Sequence, residues 1–83
     1  MESHALYTAK CFWPGVSEAD VRAAAARAGA SFRGALLFDG EDLVLCLFET
    51  TSRSSVKQAS EQAGMPCERV IKTVWVESER RNG

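Results

Sequence analysis

The chain has 83 residues, a formal net charge of −1 and a charged fraction of 25%. This length fits one domain, which buries only ~60% of its unfolded surface, so pairing with a second copy is an ordinary remedy for modest stability. Acidic and basic residues are interspersed, which offers no block for nucleic acid or an anionic membrane, and no apolar run approaches the ~20 residues that span a bilayer.

His4 to Trp13 reads as a first strand, stopped by Pro14-Gly15 because proline cannot donate to a ladder and glycine permits the turn. Ser17-Glu-Ala-Asp20 then resembles a capping box with Asp in place of the usual Glu. Val21, Ala24, Ala25 and Ala28 follow at helical spacing, and Gly29 can close a helix running from about Glu18 to Ala28. Ser31 to Phe38 is the second strand, Asp39-Gly40-Glu41-Asp42 the hairpin turn, and Leu43 to Glu49 the third strand. Thr50-Thr51-Ser52 offers caps for a second helix that buries Val56, Ala59, Ser60 and Ala63 and ends at Gly64, with Pro66 beyond. Glu68 to Val76 alternates as a last strand, with Val70, Val74 and Val76 on one side and Ile71, Thr73 and Trp75 on the other. Glu77 to Gly83 is a charged tail.

The two halves repeat at a spacing of 35 residues. Cys11 recurs as Cys46, Ser17 as Ser52, Val21 as Val56, Ala24 as Ala59 and Ala28-Gly29 as Ala63-Gly64. The element order is βαββαβ, and two pseudo-symmetric halves, about 4–38 and 42–76, predict a single α+β domain of the ferredoxin-like kind. Its sheet is expected to be antiparallel in the order 4-1-3-2, with both helices on one face. The opposite face would carry Leu43, Leu45 and Leu47, an apolar stripe of the kind that marks an interface. A homodimer joined face to face, in the form of a dimeric α+β barrel, is the expectation.

The chemistry-bearing residues are few. There is no CxxC, Gly-rich phosphate loop, HExxH or GxSxG. Met-Glu-Ser-His at the start lacks the marks of a secretory signal, which suggests the cytoplasm, with Cys11, Cys46 and Cys67 reduced; their odd number argues against a fully paired framework. Cys11 and Cys46 fall on one face of adjacent central strands, roughly 5–8 Å apart as cross-strand or diagonal neighbours. Two readings apply: small apolar core residues, or a thiolate metal site or redox couple that would need further ligands, His4 or a dimer mate. By the repeat, Cys67 matches Phe32 and should be dispensable to such a site. Tyr7, Trp13 and Phe48 share the face of Cys11 and Cys46 and could line a pocket with Glu49 at its mouth, although a charged strand end explains Glu49 as well. Arg22, Arg27, Lys57 and Glu61 read as solvated helix faces.

The run Leu45-Cys-Leu-Phe-Glu-Thr-Thr, followed by Ser52, Val56, Ala63-Gly64-Met65-Pro66 and Arg69-Val70, together with Pro14-Gly-Val-Ser-Glu-Ala-Asp-Val-Arg-Ala-Ala, resembles a family of small bacterial proteins named for a nickel-binding, nickel-responsive member. The family pattern on the third strand is similar to Tyr-Cys-Leu-Tyr-Glu-Ala-Pro. Cys46, Leu47 and Glu49 match it, whereas Leu45 and Phe48 replace the tyrosines. The resemblance implies a ferredoxin-like homodimer. It implies first-strand ligands at positions that here hold Lys10 and Cys11, of which only Cys11 can ligate, with nickel or zinc as the metal.

Three functions follow as expectations. The first is a small homodimeric binding protein without enzymatic activity, binding metal through Cys11, Cys46 and His4. The second is a dimeric barrel enzyme or pocket protein, taking a small hydrophobic molecule among Tyr7, Trp13, Phe48 and Glu49. The third is a non-catalytic interaction module whose partner is a second copy.

Overall fold

The computed structural model describes residues 3–79; residues 1–2 and the end of the expected tail, 80–83, lie outside it. The elements are β1 (Ala5–Phe12), α1 (Glu18–Ala28), β2 (Phe32–Phe38), β3 (Leu43–Thr50), α2 (Arg53–Ala63) and β4 (Cys67–Thr73). All pairings are antiparallel, in the order β2-β3-β1-β4, which is the expected order counted from the other edge. The domain is α+β, an arrangement compatible with the ferredoxin-like fold.

Local chemistry sets the boundaries. Ser17 and Asp20 form the reciprocal capping box: the Asp20 amide donates to Ser17 Oγ at 3.2 Å, and the Ser17 amide donates to Asp20 Oδ2 at 2.9 Å. Asp is shorter than Glu but reaches, because the N3 side chain folds straight back over the first turn. α2 is capped by Ser52, whose Oγ accepts from the Ser55 amide at 3.1 Å, and it ends on Gly64 in the left-handed region at φ 76°. In the β2–β3 turn, positive φ falls on Gly40 and on Asp42. Asp42 also reaches across to the end of β1, where its carbonyl accepts from Trp13 and its carboxylate from Gly15. The two tight turns at this end of the sheet are thereby tied together.

The core lies between the helices and one face of the sheet. β1 contributes Tyr7, Ala9 and Cys11, β3 contributes Val44, Cys46 and Phe48, and the helix side supplies Ala24, Val56, Ala63 and Met65. Phe32 and Phe48 meet edge to face at 5.4 Å. Arg27 is more than a solvated residue: its guanidinium donates twice to the Ala63 carbonyl, at 3.0 and 2.8 Å. It satisfies an orphan acceptor at the C-terminus of α2 and joins the ends of the two helices.

The last strand is shorter than its alternation suggests. β4 stops at Thr73, opposite Leu6, near the start of β1, where only Ala5 of that strand remains beyond the last pair. Val74, Trp75 and Val76 continue beyond it, 78, 72 and 83% exposed. Trp75 is thus not a core residue, whereas Trp13 packs partly buried against the core.

Candidate functional site

Cys11 and Cys46 do share the helix-covered face, both fully buried. β1 pairs with β3 so that Cys11 faces Val44 and Ala9 faces Cys46, which makes the two cysteines diagonal neighbours. Their chemistry differs. Cys11 is joined by a disulfide to Cys67, and Cys46 alone is free. This corrects two expectations, that all three thiols stay reduced and that Cys67 stands apart from the repeated pair.

The reason lies in register. If β4 paired with β1 as β2 pairs with β3, Cys67 would face Trp13, the counterpart of Phe48, which Phe32 faces. β4 is instead displaced by two residues, with a bulge beside Lys10 and Cys11, so Cys67 comes opposite Cys11. A two-residue shift preserves the face on which side chains point, and both sulfurs remain on the helix side.

Cys46 lies against Met65, with sulfur to sulfur at 3.6 Å. Burial pushes its thiol up to about 11 from 9.0, so at neutral pH it is a neutral, weakly polar filler. His4 precedes β1 and is exposed, seven residues from Cys11 and roughly 23 Å away along an extended strand. One chain therefore does not bring His4, Cys11 and Cys46 together, and among the described residues no group of three or more His, Cys, Asp and Glu side chains is placed to hold a metal.

The four expected pocket residues also separate. Tyr7 and Phe48 face each other directly across β1 and β3 and are part of the core. Trp13 follows the far end of β1. Glu49 points to the opposite side of the sheet from Phe48, where Arg33 Nε donates to its carboxylate at 2.9 Å. Both members of that pair are about half exposed, so it adds little stability.

An open groove of about 760 Å³ lies elsewhere, between α1 and the edge strand β2. Val16, Val21, Ala25, Phe32, Ala35 and Leu37 form its apolar lining, and Ser17, Glu18, Arg22 and Asp39 form its polar rim. The sequence carried a usable signal for it: runs of Ala in α1 and Gly34-Ala35 in β2 are too small to fill the space between a helix and an edge strand.

The uncovered sheet face is apolar, as its sequence suggests. Phe12, Leu36, Phe38 and Ile71 are exposed there, around the half-buried Leu43, Leu45 and Leu47. Lys10 and the Thr8–Thr73 hydroxyl pair, 2.6 Å apart, add polar groups towards the β4 side. No helix of the described residues is long and apolar enough to cross a membrane. No protein-family model, curated protein or solved structure matches the chain.

Proposed function

We propose that the chain is a small homodimeric binding protein, without catalytic chemistry of its own, whose two open sheet faces close on each other as a dimeric α+β barrel. The apolar face carries this reading. Phe12 at 53% and Leu36 at 56% exposure flank a stripe of leucines on the central strand β3, and contiguous apolar surface of this kind marks an interaction site. A second copy is the simplest partner, because the same face is self-complementary under a twofold axis. The dimer is then the unit that binds a small hydrophobic molecule or a soft divalent metal such as nickel or zinc, as the family resemblance implies, in a cytoplasm whose reducing poise would open the Cys11–Cys67 bond. Metal binding through Cys11 requires its bond to Cys67 to open first, since a disulfide sulfur is a poor ligand. Within one copy Cys11 and Cys46 fall short of a set and His4 lies roughly 23 Å from Cys11, so the missing ligands would have to come from the second copy.

Native mass spectrometry and light scattering, on oxidised and on reduced protein, test this reading together with elemental analysis. The expected result is a dimer in both states, with any nickel or zinc confined to the reduced one. A soluble wild-type monomer at micromolar concentration would overturn it.

A further inference from the structure

The two edges of the sheet are guarded very differently. β4, Cys67–Thr73, carries Glu68, Arg69 and Lys72. β2, Phe32–Phe38, carries only Arg33 near its start and then runs Gly-Ala-Leu-Leu-Phe, with neither proline nor lysine. An unguarded edge presents unpaired backbone donors and acceptors that another strand can complete. Above this edge lies the α1–β2 groove of about 760 Å³, with its apolar lining. The same chain holds three consecutive strand-forming residues without a partner, Val74, Trp75 and Val76.

Resting on the homodimer reading, we infer that residues 74–76 of one copy add as a strand to the outer edge of β2 in the other, with Trp75 seated in the groove between α1 and β2. Strand alternation accounts for all three side chains at once. With Trp75 turned towards the helices, Val74 and Val76 face the apolar side of the sheet, alongside Leu36 and Phe38. Indole is the side chain with enough apolar area to occupy such a groove, and Arg22 at its rim offers a cation to the ring face.

The segment cannot serve its own β2. Thr73 lies on β4, three strand spacings or roughly 14 Å from β2. One residue of extended chain spans at most about 3.6 Å, so Val74 falls short. In a closed dimeric barrel, by contrast, the two curved sheets converge at their edges, so the β4 edge of one copy can come within about one strand spacing of the β2 edge of the other, where Val74 reaches it, and the twofold axis makes the exchange reciprocal.

The test places a photoreactive p-benzoylphenylalanine at position 75 in chains of natural isotope content and mixes them with 15N-labelled wild-type chains before irradiation. Cross-links from position 75 to 15N-labelled peptides spanning residues 16–39 are the expected result. A dimer in which position 75 links to its own chain, to other parts of the partner or to nothing would overturn the tail exchange and leave the face-to-face dimer standing. A monomer in native mass spectra would overturn both. As a second measurement, Trp75→Ala should raise the dimer dissociation constant roughly thirtyfold in analytical ultracentrifugation. Far-UV dichroism should be unchanged, because Trp75 is exposed within one copy. An unaltered dissociation constant would contradict the exchange.

Discussion

Cys11 and Cys46 occupy equivalent places in the repeat, yet they meet different surroundings. Cys46 is buried against Met65, and its thiol is pushed up to about 11 from 9.0 by desolvation. The folded protein therefore holds that proton more tightly than the unfolded chain. The resulting stability is fully present below about pH 9 and is lost as pH rises through about 11. The shift corresponds to roughly 2–3 kcal/mol. Urea midpoints measured at pH 8 and pH 11 should fall further for the wild type than for Cys46→Ala, and equal falls would contradict the burial argument. Cys11, joined to Cys67 across 56 residues of chain, constrains the unfolded state instead. Loop-closure entropy for that span amounts to about 4 kcal/mol. Reduction, or Cys67→Ser, should lower the melting temperature by roughly 15–30 °C in calorimetry. The bond was hidden from the repeat because pairing follows register, and a two-residue displacement of β4 changes every partner without changing a single residue type.

At the scale of elements, capping and turn residues specified most of what forms. Ser17 with Asp20, Ser52, Gly64 and the Asp39–Asp42 turn each act through contacts a few residues apart, and both helices begin and end close to where these signals place them. β4 departs because a strand needs a neighbour as well as a pattern: its alternation runs to Val76, but its pairing with β1 ends at Thr73, with only Ala5 of β1 left beyond it. Arg27 departs for a similar reason. Its spacing marks an exposed helix face, but the end of α2 brings an orphan carbonyl within reach of its guanidinium. Arg27→Ala should cost about 1–3 kcal/mol, because the Ala63 acceptor would be left without its charged donors. Arg27→Lys should recover only part of that, since a fork and a point charge bind one carbonyl differently. Chemical denaturation of the two variants beside the wild type measures both.

For the whole molecule, the decisive surface is the open sheet face. Leu45→Asp places a charge at its centre, opposite Lys10 and Leu36. In the proposed face-to-face dimer it should give monomer or aggregate while leaving the helix-side core intact, as read by light scattering and dichroism; an unshifted dimer would place the interface elsewhere. Periodicity within segments and the 35-residue repeat were enough to read the six elements, the antiparallel order, the shared face of Tyr7, Cys11, Cys46 and Phe48, and the apolar stripe of Leu43, Leu45 and Leu47 opposite them. These depend on local geometry, in which side chains alternate along strands and recur every three to four residues on helices. Tertiary structure alone decided which cysteine bonds to Cys11, that His4 lies far from it, that Tyr7 and Phe48 are packed into the core, and that the open groove sits between α1 and β2. Each of these depends on the register and spacing between segments distant in sequence, and local pattern does not encode them.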